Sequence, residues 1–126
     1  MKLISFIIPS RNNLKYLKWC YESIRKNTLY PHEICIADDA STDGTKEWVQ
    51  SIIDSGEDAC LKLHINKGPE RLGLTILYDL LVNDYSTHDI VMFFHSDMYL
   101  CPHADEMIDK YLEPGKVVSL PINRWT

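Results

Sequence analysis

The sequence predicts an α/β fold in which a mostly parallel sheet lies between two layers of helices. Strand-like and helix-like segments alternate four times along the 126 residues, and one more strand-like segment follows. Two of the strand-like segments are almost continuously apolar, as is typical of parallel strands that are buried on both faces. Right-handed crossover connections place helices on both faces of such a sheet. The expected architecture is a Rossmann-like three-layer sandwich.

The first half of the chain contributes two strands and two helices, predicted over residues 3–8, 14–27, 34–37 and 45–56. The first strand is apolar enough to be central, and Pro9 is expected to end it because proline cannot donate to a strand ladder. Apolar residues at spacings of three and four predict the first helix, which Asn12 or Asn13 can cap. Pro31 separates this helix from the second strand, and another helical pattern follows Gly44.

The second half contributes elements predicted over residues 60–65, 72–83, 89–94, 101–112 and 117–120. The third strand alternates between apolar and polar residues, so one of its faces is expected to be exposed near a sheet edge. The fourth strand is apolar and is expected to be buried. Pro102 fits the first turn of the last helix. The solvated face of that helix is expected to carry Asp105, Glu106, Asp109 and Glu113.

Composition and charge indicate one globular domain of 126 residues. The net charge is -5 and no more than two basic residues are adjacent, which argues against nucleic acid as a partner. No apolar run is long enough for a transmembrane segment. The four cysteines lack a C-x-x-C pair, which favours free thiols in a reducing cytosol over disulfides or a zinc site. We therefore expect a cytoplasmic location.

Hydrogen-bonding side chains are concentrated directly after the second strand, in the stretch ICIADDASTDGT. Six positions there contain five such residues, namely Asp38, Asp39, Ser41, Thr42 and Asp43. One helix cap needs only one of them. Two neighbouring acids also repel each other and gain nothing from burial. The surplus favours a ligand site over simple capping.

Polar residues follow each of the first four strands, namely Ser10 and Arg11, Asp38 and Asp39, residues 66–71, and His95 to Asp97. Ligands bind outside the carboxyl ends of parallel strands, where the strand order reverses. If the first strand lies between the second and the fourth, these residues line one crevice. The chain has neither a G-x-G-x-x-G motif after its first strand nor a G-x-x-x-x-G-K-S/T loop, so these two nucleotide-binding motifs are excluded.

Four motifs resemble the successive signatures of family 2 glycosyltransferases of the GT-A fold: FIIPSRNN, EICIADDASTDGT, NKGPERLG and FFHSDMYLCP. The resemblance covers essentially the whole chain. It implies the nucleotide-diphospho-sugar transferase type of α/β fold. It also implies a nucleotide-sugar donor, usually a UDP-sugar, whose sugar is transferred to an acceptor hydroxyl with inversion and with the help of a metal.

The same resemblance implies the residues of the donor site. Those matched by motif are Pro9, Ser10, Arg11, Asp38, Asp39, Arg71, Ser96 and Asp97. The first three would form the wall of the nucleotide pocket. Asp39 would accept hydrogen bonds from the base or ribose, with Asp38 beside it, and Arg71 would lie near the base and diphosphate. Asp97 matches the last acid of a D-x-D motif, which holds a divalent cation, Mn2+ or Mg2+.

Two positions depart from the family pattern. His95 stands where the first acid of the D-x-D motif is usual, and Leu72 stands where asparagine is common. His95 can bind the metal, with Mn2+ preferred over Mg2+, or contact the diphosphate. It can equally form only a hydrogen bond to a neighbour.

The acceptor-binding part and the general base of the family lie beyond the point where this chain ends. We therefore expect residues 1–126 to form a single donor-binding domain without the acceptor-binding C-terminal part, and no catalytic base is assigned. The acceptor, whether glycan, lipid or protein, is not specified. One alternative is a module that binds nucleotide-sugars without transferring them. A nucleotidyltransferase is less favoured, because that class usually has a glycine-rich basic loop after the first strand.

Overall fold

The computed structural model describes residues 3–115 and 117. Within them, four strands form one parallel sheet: β1 (Ile4–Ser10), β2 (His32–Asp39), β3 (Leu61–Asn66) and β4 (Ile90–Phe93). The strand order is β3-β2-β1-β4. The expectation that the first strand lies between the second and the fourth is therefore confirmed.

The helices lie in the connections between the strands and after β4. They are α1 (Leu14–Asn27), α2 (Thr45–Ser55), α3 (Leu74–Leu80) and α4 (Ala104–Tyr111), and a π-helical segment (Leu81–Tyr85) continues α3. None of the described helices combines the length and the hydropathy needed to cross a membrane. The predicted fifth strand lies outside the described residues except for Val117.

Both faces of the sheet are covered, as the three-layer prediction requires. On one face, alternate residues of β1 and β2 such as Phe6 and Ile36 form a core with α1, α2 and α4. On the other face, Ile7 and Cys35 pack against α3 and the π-helical segment. All four cysteines are free, and Cys20 and Cys35 are buried.

Pro9 does not end β1, contrary to the prediction. The strand continues to Ser10 and stays paired with β2. The backbone N–H of Phe94 donates to the carbonyl of Ile7, so Ile7 and Pro9, two residues apart, both direct their backbone groups towards β4. Because the nitrogen of Pro9 faces β4, its missing N–H removes no hydrogen bond to β2.

Two predictions for the last third of the chain are also wrong. Phe93 on β4 is 60% exposed, because among the described residues β4 is paired only with β1. Asp105 is 1% exposed, although it was expected on a solvated face. Its Oδ2 atom accepts the backbone N–H groups of Leu29 (2.7 Å) and Tyr30 (3.0 Å), which follow α1. The carboxylate thus satisfies two donors that are remote in sequence.

Candidate functional site

The carboxyl ends of β1, β2 and β4 lie side by side at one edge of the sheet, and hydrogen bonds connect the loops that follow them. Arg11 Nη1 donates to the carbonyl oxygens of Asp39 (2.8 Å) and Ala40 (3.3 Å), which joins the first loop to the second. Asn13 Nδ2 donates to Ser96 Oγ (3.0 Å), which joins the first loop to the fourth. The structure therefore brings the polar residues that follow these three strands to the same edge.

Three of the five hydrogen-bonding residues after β2 are used to hold the first two loops together. Asn12 donates its backbone N–H to Ser41 Oγ (2.9 Å), and its Oδ1 accepts the backbone N–H of Thr42 (2.7 Å). Asp43 Oδ2 accepts the backbone N–H of Leu14 at the start of α1 (3.0 Å). The cap of α1 therefore comes from the neighbouring loop, whereas Asn12 or Asn13 was expected to provide it.

Asp39 organises the loop that follows β3. Its side chain is almost fully buried. Oδ1 accepts Asn66 Nδ2 (2.8 Å) and the backbone N–H of Leu72 (2.9 Å), and Oδ2 accepts the backbone N–H of Gly73 (3.1 Å). Arg71 Nε lies 3.9 Å from Oδ2. Burial raises the pKa of Asp39, but these hydrogen bonds outweigh it and leave the pKa below its ordinary value.

These contacts also explain where α3 begins. The prediction started the helix at Leu72, but Leu72 and Gly73 turn their backbone N–H groups towards Asp39, and α3 begins at Leu74. Gly73 has a φ of +85°, a conformation that side chains other than glycine rarely adopt. The family departure at position 72 leaves this contact intact, because Leu72 contributes through its backbone.

Asp38 faces away from Asp39, because successive side chains of a strand point to opposite faces of the sheet. Asp38 is fully buried on the face covered by α1 and α2, directly beside Ser10 of β1. Within the described part of the chain, neither Asp38 oxygen has a hydrogen-bond partner, and the same holds for the Ser10 hydroxyl. Burial raises the pKa of Asp38, although the neighbouring Ser41 acts in the opposite direction. The structure thus separates the two acids.

Asp97 is exposed and uncommitted at the end of β4. It makes no hydrogen bond or ion pair with any described residue. Its carboxylate is open to solvent. His95 is also exposed, and its Nδ1 lies 3.3 Å from the Tyr78 hydroxyl. Burial, and secondarily the charge of Asp97, raise the pKa of Tyr78, which keeps its hydroxyl protonated.

Asp97 and His95 fit a divalent cation only in part. A carboxylate oxygen suits Mg2+ and Mn2+, and an imidazole nitrogen suits Mn2+ better than Mg2+. Residues 3–115 and Val117 contain no cluster of three or more His, Cys, Asp or Glu side chains placed to hold a metal. The two side chains can therefore fill part of a coordination shell, and oxygens of a ligand or of water must complete it.

Sequence reasoning missed one contributor to this edge, Tyr78. Tyr78 lies 17 residues before His95 on α3, which packs on the sheet face opposite to α1 and α2. No spacing in the sequence connects them. Asn66 belongs to the predicted polar stretch 66–71, and at the end of β3 it falls directly opposite Asp39 in the strand register.

Comparisons with known proteins identify the family of this chain. The family model "Glycosyl transferase family 2" matches residues 5–124. Over 115 residues the chain is 30% identical to the abequosyltransferase RfbV of Salmonella typhimurium, which covers 88% of this chain and 33% of that protein. The chain belongs to glycosyl transferase family 2.

Solved structures show the same fold. The mannosyltransferase PcManGT from Pyrobaculum calidifontis, determined in complex with GDP-Man and Mn2+, is 26% identical with a TM-score of 0.65, over 75% of this chain and 27% of that one. Staphylococcus aureus TarS is 21% identical with a TM-score of 0.66, over 97% of this chain and 39% of that one. The predicted α/β fold of the GT-A type is confirmed. The chain spans a third or less of the length of the curated relatives it matches.

Proposed function

We propose that the carboxyl edge of the sheet binds a nucleotide-diphosphate sugar and that the chain is the donor-binding part of a glycosyltransferase. The observation that carries this proposal is the arrangement at that edge. Asp39 ends β2, the exposed Arg71 lies in the loop that follows β3, and the uncommitted Asp97 follows β4. The reaction would transfer the sugar to an acceptor hydroxyl with inversion.

Asp39 and Arg71 are proposed to contact the nucleotide. A carboxylate has about four acceptor positions, and three hydrogen bonds to the loop leave one on Oδ2 for the base or ribose. Arg71 is 61% exposed, so its guanidinium is free to form paired hydrogen bonds with diphosphate oxygens. Pro9 and Arg11 form the wall of the pocket. In this arrangement Arg11 acts by holding the backbone of the second loop.

Asp97 and His95 are proposed to hold a divalent cation together with the diphosphate. When bound, such a cation neutralises negative charge on a diphosphate leaving group. The exposed Asp97 carboxylate is available for this because no described residue pairs with it. Ser96, between the two, is engaged by Asn13 and fixes the start of this loop.

Two nucleotides are candidates for the donor. The motif resemblance favours a UDP-sugar. The complex of the mannosyltransferase relative makes a GDP-sugar the second candidate. We propose the cytosol as the compartment, since all four cysteines are free thiols.

The acceptor site and the general base are proposed to lie outside these 126 residues. This is supported by the share of its relatives that the chain spans. It is also supported by the carboxylates at the carboxyl edge: Asp39 and Asp43 hold loops, and Asp38 is buried away from them. The same observations favour a second candidate function, a module that binds nucleotide-sugars without transferring them.

Calorimetry against UDP- and GDP-sugars, with and without Mn2+, tests the proposal. We expect binding of one nucleotide class, strengthened by the metal. Slow hydrolysis of the bound donor would favour the transferase, and binding without hydrolysis would favour the module. If no nucleotide-sugar binds to the folded chain, the proposed function is wrong.

A further inference from the structure

A backbone acceptor is left without its usual donor where β1 and β4 separate. The Phe94 N–H donates to the Ile7 carbonyl (3.0 Å). In a parallel ladder, the next donor, to the carbonyl of Phe94, comes from the residue two positions further along β1. That residue is Pro9, which has no N–H. The carbonyl of Phe94 therefore needs a donor from outside the sheet, because unpaired polar groups are costly when water is excluded.

The hydroxyl of Tyr78 replaces the missing donor. Its oxygen lies 3.1 Å from the Phe94 carbonyl oxygen, to which it donates. A phenol has one hydrogen, so the same oxygen can only accept from His95 Nδ1, 3.3 Å away. Neutral His95 must then carry its hydrogen on Nδ1, and Nε2 has a free lone pair. Nε2 makes no hydrogen bond with a described residue.

The surroundings of the pair keep both rings in place. The Tyr78 ring packs edge-on against Phe93, with centroids 5.2 Å apart, and lies 6.3 Å from the His95 ring. The backbone of His95 is held through Met98, whose sulfur accepts the His95 N–H (3.4 Å) and whose N–H donates to the His95 carbonyl (3.1 Å).

We propose that Tyr78 is a positioning residue that fixes the Nδ1–H tautomer of His95 and so presents Nε2 to the cation held by Asp97. This inference rests on the metal site of the proposed function, and it favours metal binding among the roles that the sequence left open for His95. Metal-binding histidines generally donate their second ring N–H to an oxygen, which fixes the tautomer and the ring orientation. Because Pro9 has no N–H, the Phe94 carbonyl accepts the Tyr78 hydroxyl, and the oxygen of that hydroxyl accepts from His95.

The tautomer can be measured without any metal. Long-range nitrogen–carbon correlation spectra of the full chain, at a pH where imidazole is neutral, should show His95 protonated on Nδ1. Tyr78→Phe should shift the hydrogen towards Nε2, the preference of an isolated side chain. The matched control is Tyr85→Phe, because the Tyr85 hydroxyl contacts His64 Nδ1 (3.0 Å) on β3, the outer strand on the side of the sheet away from β4. If His95 carries its hydrogen on Nε2 in the unchanged protein, the inference is wrong whatever binds to the site.

The second measurement is the affinity for Mn2+ in the presence of UDP or GDP, followed by electron paramagnetic resonance. Tyr78→Phe should weaken Mn2+ binding about tenfold, as is common when an outer partner of a metal ligand is removed. His95→Ala should weaken it at least as much, and the double variant no further than His95→Ala. Tyr85→Phe should have no effect.

The outcomes separate the two proposals. Mn2+ binding that depends on Asp97 but not on His95 or Tyr78 would overturn this inference and leave the metal site in place. The absence of any nucleotide-linked Mn2+ binding in the unchanged protein would overturn both.

Discussion

The two ends of the parallel strands use acidic side chains in opposite ways. The amino edge is where the strands begin, and the carboxyl edge is where they end. At the amino edge, Glu33 of β2 is 4% exposed, and its carboxylate is surrounded by donors. It accepts Ser5 Oγ (2.8 Å), the backbone N–H (2.6 Å) and hydroxyl (2.7 Å) of Thr87, and Lys62 Nζ (3.1 Å). At the carboxyl edge, Asp38 is just as buried but has no partner among the described residues, and Asp97 is exposed without one.

This difference indicates that the amino edge serves stability, whereas the carboxyl edge keeps acceptor capacity for the proposed ligand site. The partners of Glu33 come from β1, from β3 and from the turn before β4, so one carboxylate connects all four strands. Burial raises its pKa, but the hydrogen bonds from Thr87, Ser5 and Lys62 outweigh this and lower the pKa to about 2. A saturated carboxylate has no capacity left for a ligand. The carboxyl edge keeps such capacity on Asp39 and Asp97.

The largest expected effect is the loss of stability in Glu33→Ala. This change removes the acceptor of four hydrogen bonds, although Lys62 Nζ is partly exposed and keeps the Tyr85 carbonyl. A hydrogen bond to a charged group contributes about 1.5–3 kcal/mol, and we expect a total loss of about 3 kcal/mol because solvent compensates part of it. Denaturant unfolding measures it. Glu47→Ala, an exposed acid of α2, is the control and should change stability by less than about 0.5 kcal/mol. A loss below about 1 kcal/mol in Glu33→Ala would contradict the role of the amino edge.

Acid should weaken the amino edge in a defined window. A carboxyl whose pKa is lowered on folding contributes stability above its unfolded pKa and loses it as the pH falls through the folded pKa. For Glu33 the window runs from the ordinary pKa of 4.5 down to the folded pKa of about 2. Glu33→Gln should remove most of the stability change in this window, while nucleotide affinity at neutral pH should remain.

The second effect concerns the opposite edge. Asp97→Asn should abolish the cooperativity between Mn2+ and nucleotide, because it removes the carboxylate that no described residue shares. We expect nucleotide-linked Mn2+ affinity to fall by more than about a hundredfold, beyond the range for outer partners of a metal site. Stability should change by less than about 0.5 kcal/mol. Asp84→Asn, an exposed acid of the π-helical segment, controls for the charge.

Much of the fold could be predicted because its signals are local. Apolar runs gave the strands, helical spacings gave the helices, and the polar strand ends gave the sheet edge. The failures depended on neighbours that are distant in sequence. Whether Pro9 ends a strand depends on which strand its nitrogen faces. Whether Asp105 is solvated depends on two N–H groups that lie 75 and 76 residues earlier.

The position of the candidate site was predictable, but the separate roles of its residues were not. The stretch after β2 was correctly read as having more acceptors than one cap needs. The structure divides them between a loop junction, the Asp39 contacts and the buried Asp38. Every partner belongs to another loop or to the opposite face, so composition alone could not assign them. Tyr78 was missed for the same reason.

The next effect concerns Asp39, whose carboxylate stabilises a loop and is also proposed to bind the nucleotide. Asp39→Ala should weaken nucleotide affinity by about 1.5–3 kcal/mol, the usual range for a hydrogen bond to a charged group. Stability should also fall by about 1–3 kcal/mol, since the N–H groups of Leu72 and Gly73 lose their acceptor. Calorimetry and denaturant unfolding measure the two losses.

Asp39→Asn separates the loss of stability from the loss of nucleotide affinity. The amide keeps one acceptor oxygen for the loop, so it should recover part of the stability and less of the affinity. If Asp39→Ala loses stability but binds every nucleotide as the unchanged protein does, Asp39 belongs with Glu33 as a purely structural acid.

The smallest expected effect is that of Arg71→Ala, which tests whether the carboxyl edge also keeps a cation free. The Arg71 side chain is 61% exposed and its only described polar contact, to Asp39, is 3.9 Å long. Solvent screens such a group, so we expect a loss of about 0.2–1 kcal/mol in affinity for a nucleoside diphosphate. The free nucleoside should bind unchanged, because it offers no phosphate oxygens to a guanidinium. The loss should shrink as salt is added.

Lys67→Ala removes an exposed charge from the same loop and is the matched control. Equal losses for nucleoside and diphosphate would assign Arg71 to the base. With no loss for either ligand, Arg71 would be an ordinary surface residue and Asp97 would be the only uncommitted charge assigned to ligand binding at this edge.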